Sequence, residues 1–132
     1  MSFNVDDPAP ITAYDLIDIN NEVTSGEGYI RDIHLLNSAV RRPYIVLFGV
    51  PQFPTPVDKA AALLHSLAYH HLFIDGNKRT AVRAAQLSLE RHGYRWEYDP
   101  ARDAGFVLEI AQGKREVEAV SAWLAERVSA QP

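Results

Sequence analysis

Residues 55–93 read TPVDKAAALLHSLAYHHLFIDGNKRTAVRAAQLSLERHG, and this stretch predicts two consecutive helices. Thr55 suits the N-cap of the first helix, Pro56 its first helical position and Asp58 its third. Alanine and leucine then cover most of the helix circumference as far as about His71. A helix that is apolar almost all round is typical of the centre of a globular protein, so this helix is predicted to be buried.

The second helix is predicted from about Asn77 to His92, and Gly93 suits the C′ position that ends it. The two helices form a hairpin, and apolar periodicity on either side of it predicts further helices. These run from 12 to about 26–28, from 32 to about 41, from 99 to about 113 and from 115 to about 128. The predicted fold class is therefore all-α, with about six helices around a buried central hairpin in one domain over residues 1–132.

Three segments outside these helices have a different character. Residues 43–54 (PYIVLFGVPQFP) are rich in β-branched and aromatic side chains punctuated by proline and glycine, which indicates a short extended flap or hairpin. Residues 94–98 alternate aromatic and charged side chains, as in one short strand or an extended connection. Residues 1–10 are predicted to be a loose N-terminal leader, because prolines interrupt regular structure there.

The composition excludes several classes of protein. A chain of 132 residues with 47% hydrophobic residues can bury one core without disulfides or a structural metal. The absence of cysteine excludes disulfides, thiolate metal sites and a cysteine nucleophile. Prolines or histidines interrupt the longest uncharged runs, residues 43–57 and 60–74, and no basic residue precedes Arg31. Neither a membrane span nor a signal peptide is therefore predicted.

The charge is unevenly distributed along the chain. The net charge is −4, but residues 1–30 carry six acids and no base, whereas residues 71–95 carry five bases and two acids. A sequence pI of about 5.7 argues against a broad nucleic-acid surface, since such domains are usually basic overall. A compact anion site in the middle of the chain remains compatible with this distribution.

Some basic residues are predicted to be structural. His65 lies five and six residues before His70 and His71, and these spacings do not place two metal ligands on one helix face. His65 is therefore predicted to be a hydrogen-bonded core histidine. Arg41 and Arg42 are predicted to form a solvated helix end.

Residues 71–79, HLFIDGNKR, combine groups that suit a phosphate. A tight loop containing Gly76 precedes a new helix, whose first N–H groups and partial positive charge favour an anion. Asn77, Lys78 and Arg79 add side-chain donors at the same place, with lysine as a point charge and arginine as a bidentate fork. The pattern predicts a phosphate-binding loop.

An acid and a possible base flank this predicted phosphate site. A carboxylate beside phosphate needs a cation between them, and Mg²⁺ held by Asp75 and phosphate oxygens meets that need. His71 is able to take a proton from an incoming hydroxyl. Base, metal ligand and phosphate loop within nine residues together indicate phosphoryl or nucleotidyl transfer to a hydroxyl.

Each of these residues also has a purely structural interpretation. His71 would cap carbonyls at a helix end, Asp75 or Asn77 would cap the next helix, and Lys78 with Arg79 would form a solvated face. Taken singly, these interpretations are favoured. The order and spacing of the whole set favour the functional one.

The same nine residues match the Fic/Doc signature H-x-F-x-[D/E]-[G/A]-N-[G/K]-R at every specified position. The chain resembles the Doc (death-on-curing) branch over about residues 12–128, including Arg31-Asp32 at a helix start and Thr80-Ala81 after the motif. The sequence departs from relatives at Leu72, where proline is common, and at Gly76, where Doc itself has alanine. The resemblance implies a small helical fold and a cytoplasmic toxin of a toxin–antitoxin pair.

The resemblance also implies a role for each motif residue. His71 corresponds to the general base and Asp75 to the Mg²⁺ ligand. The anion-binding loop corresponds to Gly76 and Asn77, and the phosphate contacts to Lys78 and Arg79. In this family the site takes ATP and Mg²⁺.

Lys78 separates two activities within the family. Fic proteins have glycine at this position and transfer AMP, whereas Doc has lysine and is thought to present the γ-phosphate to the acceptor. The resemblance thus implies a protein kinase that modifies a threonine of elongation factor Tu and halts translation. Two alternatives stay open, a Fic-type AMP transferase and a catalytically silent nucleotide-binding domain.

The resemblance further implies a regulatory partner. Some Fic proteins carry a self-inhibitory pattern [S/T]-x-x-x-E-[G/N], but Val23 occupies its Ser/Thr position before Glu27-Gly28. Inhibition is therefore expected in trans, from a Phd-like antitoxin segment that folds on binding. Neither direct binding to nucleic acid nor a membrane is expected.

Overall fold

A computed structural model describes residues 2–132 of the chain, and across them the protein is mostly helical. The helices are α1 (Ala13–Val23), α2 (Ile33–Arg41), α3 (Pro56–Tyr69), α4 (Asn77–Arg91), α5 (Pro100–Ala111) and α6 (Val117–Ala125). The short strands are β1 (Ser2–Phe3), β2 (Ile45–Leu47), β3 (Val50–Pro51), β4 (Tyr94–Trp96) and β5 (Val128–Ala130). No helix in this part of the chain has the length and apolar character that a bilayer crossing requires.

The α3–α4 hairpin is the centre of the fold, as predicted. Thr55 caps α3 by accepting a hydrogen bond from the N–H of Asp58, whose carboxylate accepts one from the N–H of Thr55. From Ala60 onward, almost every residue of α3 is buried, because α2, α4, α5 and α6 all pack against it. Small alanines let these helices approach closely while the leucines fill the spaces between them.

Within the predicted flap, residues 45–51 form a hairpin after a 3₁₀ turn at Arg42–Tyr44, but the N-terminal leader is not loose. The flap is made by β2 and β3, and β1 adds a third antiparallel strand in which Ser2 pairs with Val46. The carboxylate of Asp7 accepts hydrogen bonds from the Tyr44 hydroxyl and from His92 Nε2, each over 2.8 Å. The prediction of a loose leader is wrong because these partners lie 37 and 85 residues away, beyond any local pattern.

The C-terminal helix ends earlier than its apolar stripe predicts. α6 stops at Ala125, and Val128 belongs to β5, where it pairs with Trp96 of β4. Periodicity in this segment is compatible with either structure, and the available strand partner decides between them. The alternating residues 94–98 therefore do contain a strand, and that strand is completed by the C-terminal segment.

Arg42 is not a solvated helix end. Its guanidinium donates to Ser66 Oγ over 2.9 Å and contacts His65 Nδ1 at 2.8 Å, and it lies over the ring of Phe53. His65 makes a second contact through Nε2 with the carbonyl oxygen of Arg115. The prediction that His65 is a hydrogen-bonded histidine is confirmed. Arg42 turns inward because His65 and Ser66 offer it hydrogen-bond partners.

Asp103 on α5 is a fully buried carboxylate at the centre of an ionic cluster. It accepts hydrogen bonds from Arg102 over 2.7 and 2.8 Å, from the N–H of Asp99 and from Arg127. The guanidinium of Arg102 is the largest influence, and together these donors lower the pKa of Asp103 to about 2. The cluster joins α5 to the segment after α6.

This cluster predicts a loss of stability in acid. Because the pKa of Asp103 is lower in the folded state, its contribution is full above the unfolded pKa of 3.8 and is lost as pH falls towards 2. The contribution is about 2 kcal/mol. In urea unfolding from pH 7 to pH 2, Asp103→Asn should lower stability at pH 7 and flatten the acid limb. Asp18→Asn, at an exposed position on α1, is the control and should follow the unmodified protein.

Candidate functional site

The chain leaves α3 as an extended segment, residues 71–74, which the loop before α2 holds in place. Phe73 forms an antiparallel bridge with Ile30, and the N–H of Arg31 donates to the carbonyl oxygen of Leu72 over 2.7 Å. Phe73 and Leu72 are buried. The backbone that carries the first half of the motif is therefore held by residues 30–31 and by the buried side chains of Leu72 and Phe73.

His71 presents its ring to solvent from this fixed backbone. α3 ends at Tyr69, two residues before the predicted end, and His71 is exposed. The Arg31 guanidinium donates to the carbonyl oxygen of His71 over 3.3 Å, whereas the imidazole hydrogen-bonds to no group within residues 2–132. Both ring nitrogens are thus free to exchange a proton with a bound molecule.

The side chain of Asn77 closes the loop. Its Nδ2 donates to the carbonyl oxygen of Phe73 over 2.9 Å, and its Oδ1 accepts from the N–H of Phe73 over 3.0 Å. The amide thereby imitates the pairing of a strand neighbour. Both polar atoms of Asn77 are engaged in this way, so its contribution to an anion site comes first from its main-chain N–H.

Gly76 introduces a left-handed turn immediately before α4. Its φ is +73°, and a Cβ there would lie 2.9 Å from Thr24 Cγ2 and 3.2 Å from Val23 Cγ2. A left-handed residue followed by a helical one directs successive N–H groups into one concavity, which suits an anion. The N–H groups of residues 76–79 have no acceptor within the described chain. The loop therefore has a backbone geometry that suits an anion such as phosphate.

Asp75 and Arg79 flank this concavity. The Asp75 carboxylate is 74% exposed and lies 3.8 Å from Arg79 Nη2, a loose contact for an ion pair. Arg79 also donates through Nη1 to the carbonyl oxygen of Val23, one of the orphan carbonyls at the end of α1. The described residues gather no group of three metal-ligating side chains. A single free carboxylate fits Mg²⁺, which is commonly held by one carboxylate together with phosphates and water.

A cavity of about 410 Å³ adjoins the start of α4 and is also lined by residues of α1 and α5. Its lining includes the apolar side chains of Val23, Val82 and Val107, together with Tyr98. Its charged lining consists of Lys78, Arg79 and Arg83. An apolar cavity with a cationic edge beside an anion loop is the arrangement expected of a site for an organic phosphate.

Comparison with known proteins agrees with this geometry. The family model described as the Fic/DOC family matches residues 10–89, which include α1 to the end of the motif and most of α4. The chain belongs to the Fic/DOC family. It is also similar to a protein named Toxin Doc from Mycolicibacterium smegmatis (strain ATCC 700084 / mc(2)155), with 38% identity over 113 residues. That alignment covers 84% of this chain and 87% of the relative.

The structure brings all six predicted residues of the Fic/DOC motif to one loop and helix start. It also shows a residue that the sequence analysis missed. Asn20 on α1 is fully buried and donates through Nδ2 to the carbonyl oxygen of Asp75 and to Thr80 Oγ1. A signal was present, because Asn20 falls on the apolar stripe of α1 between Leu16 and Val23, where a polar side chain needs a partner.

The confined position of Gly76 leads to a stability prediction. Gly76→Ala should destabilise the protein by about 1–2 kcal/mol more than Gly93→Ala, although both residues are left-handed. The reason is that a Cβ at Gly93 has nothing within 4 Å, whereas at Gly76 it meets Thr24 Cγ2. Urea unfolding of the two variants checks the difference.

A third variant tests the cause of this difference. Thr24→Ser deletes the obstructing methyl group and keeps the hydroxyl that donates to the carbonyl oxygen of Asn20. Combined with Gly76→Ala, it should recover part of the lost stability. Equal losses in the two alanine variants, or no recovery with Thr24→Ser, would contradict the steric explanation.

Proposed function

We propose that this Fic/DOC protein is a toxin kinase that transfers the γ-phosphate of ATP to a hydroxyl of a protein. The observation that carries the proposal is the complete motif on a preformed anion loop, with Lys78 where AMP-transferring relatives have glycine. The proposed acceptor is a threonine of elongation factor Tu, whose modification would stop translation. The relative named Toxin Doc supports the toxin class.

The charge distribution supports transfer of a terminal phosphate. Lys78 occupies the second position of α4, where its exposed ammonium adds to the partial positive charge of the helix start. A side chain there fills space that glycine would leave open, and it stabilises negative charge on a phosphate. Arg79 and Arg83 extend the positive potential along the cavity.

In the proposed reaction, the acceptor oxygen forms a bond to the γ-phosphorus as the bond from that phosphorus to the bridging oxygen breaks. The imidazole of His71 takes the proton of the acceptor hydroxyl, and ADP leaves. The N–H groups of residues 76–79 hold phosphate oxygens in the orientation that this displacement needs. Asp75 would hold Mg²⁺, which neutralises phosphate charge when bound.

A label-transfer assay tests the reaction. The purified protein is mixed with Mg²⁺, elongation factor Tu and ATP labelled at either the α- or the γ-phosphate. Label from the γ-phosphate should reach the acceptor, and His71→Ala should lower the rate by at least about 10²-fold, because the general base is lost. The unfolding temperature of this variant should hardly change, since the His71 ring is exposed.

Controls make the assay decisive. His34→Ala, at an exposed position on α2, should leave transfer unchanged. Label that arrives only from the α-phosphate would contradict the kinase proposal and favour AMP transfer. Transfer from neither position, in a protein that still binds ATP, would favour a silent nucleotide-binding domain.

Lys78 offers a separate test. Lys78→Ala should reduce γ-phosphate transfer by about 10- to 100-fold, as expected when a charge-assisted contact to phosphate is removed. Lys114→Ala, at an exposed lysine between α5 and α6, is the matched control and should have no effect. Steady-state rates over a range of ATP concentrations measure both variants. Unchanged transfer by Lys78→Ala would remove the main argument for a kinase over an AMP transferase.

We also propose that an antitoxin of Phd-like type inhibits the protein in trans. The supporting observation is that Val23 breaks the self-inhibitory pattern within the chain, and that the His71 ring and the N–H groups of residues 76–79 are left open. Affinity purification of the tagged protein from native lysate, under non-denaturing conditions, should recover a small acidic or disordered partner that suppresses label transfer. Recovery of fully active toxin without a partner would contradict this part of the proposal.

A further inference from the structure

We infer that Asn20 is a positioning residue for phosphate binding, because its amide orients the peptide that joins Asp75 to Gly76. The inference rests on the proposed function, since it concerns the same phosphate site. Asn20 lies on α1, outside the motif, and has no exposed surface with which to touch a ligand. Its action on the ligand must therefore pass through the loop.

The contacts of the Asn20 amide connect two parts of the site. Nδ2 donates to the carbonyl oxygen of Asp75 over 2.8 Å and to Thr80 Oγ1 over 3.1 Å. Asp75 precedes the left-handed turn, and Thr80 lies one turn into α4. Both hydrogens of the amide are used in this way, so Asn20 on α1 links the loop to the first turn of α4.

Because the peptide between Asp75 and Gly76 is planar and trans, holding its carbonyl also fixes the direction of its N–H. In such a peptide the carbonyl and the following N–H point in opposite directions. The carbonyl of Asp75 is directed at Asn20, and the N–H of Gly76 is therefore directed away from α1. That N–H has no acceptor within residues 2–132 and is the first of the series that forms the anion concavity.

The orientation of the Asn20 amide is itself determined by its surroundings. If the amide were rotated by 180°, Oδ1 would face the carbonyl oxygen of Asp75, and two acceptors would repel each other. In the observed orientation Oδ1 is buried without a donor and lies 2.9 Å from the position a Cβ on Gly28 would occupy. A buried oxygen without a donor lowers stability. The presence of Asn20 is thus better explained by the orientation it gives to the Asp75–Gly76 peptide than by a gain in stability.

Binding of ATP, followed at the amide of Gly76, tests the inference directly. The full-length protein labelled with ¹⁵N is titrated with Mg²⁺-ATP, and the Gly76 resonance should shift as phosphate binds. Asn20→Ala should raise the Kd for ATP by about tenfold or more and abolish most of this shift, because the peptide is free to rotate.

Two controls separate orientation from general loss of stability. Ile19→Ala truncates a buried neighbour on α1 and should lower the urea midpoint at least as much as Asn20→Ala. It should nevertheless leave the Kd for ATP within about twofold, since an isoleucine side chain makes no hydrogen bond to the loop peptide. Thr80→Val removes only the second partner of Asn20 and should keep both the Gly76 shift and most of the affinity.

The outcomes also distinguish this inference from the proposed function. If Asn20→Ala is folded and binds ATP as the unmodified protein does, the inference is overturned. The inference is likewise overturned if the unmodified protein binds ATP with no response at Gly76. If Gly76 responds and Asn20→Ala abolishes the response, but no γ-phosphate is transferred, then the inference holds and the kinase proposal fails.

Discussion

Burial of α3 on nearly all sides is the constraint from which the site follows. This helix packs against α2, α4, α5 and α6, and seven residues, 70–76, connect it to α4. So short a connection between antiparallel helices leaves many backbone polar groups without regular partners. The protein supplies partners from outside the loop, through the segment before α2, through Asn77 and through Asn20. Within the described residues, the N–H groups of Gly76 and of the first three residues of α4 receive no partner.

This distribution separates the motif into residues that support the loop and residues whose side chains are exposed. Phe73 is buried and Asn77 hydrogen-bonds to its backbone, whereas His71, Asp75 and Lys78 are exposed. A rigid backbone that carries free side chains is what preorganised binding of a charged transition state requires, because little ordering remains to be done when the ligand arrives. A nine-residue signature can therefore serve as both a folding element and a chemical one.

The sequence predicts the parts of this arrangement that are local. The cap at Thr55 and the hairpin flap follow from residues close together in the chain, and both are present. The errors occur where a distant polar partner decides the structure. Asp7 finds Tyr44 and His92, and Val128 finds Trp96, through contacts that no periodicity encodes.

Within the site, the sequence predicted the motif residues but not Asn20, which hydrogen-bonds to the loop. The motif is contiguous, so its chemistry could be inferred from the order of its side chains. Asn20 lies 55 residues from the carbonyl it holds. The roles of the motif residues remain predictions, whereas their common location on one loop is a feature of the fold.

The register between α1 and α4 is what keeps Asn20 opposite that carbonyl, and it is fixed at both ends. Near the loop, Arg79 donates to the last carbonyl of α1, that of Val23. At the other end, the Arg91 guanidinium binds both carboxylate oxygens of Asp15 over 2.8 and 3.0 Å. Sliding α4 by one residue would move it by about 1.5 Å, enough to break a 2.8 Å hydrogen bond between Asn20 and Asp75. The bidentate Arg91–Asp15 ion pair, more than three helical turns from the motif loop, thus helps to keep Asn20 in position to hold that loop.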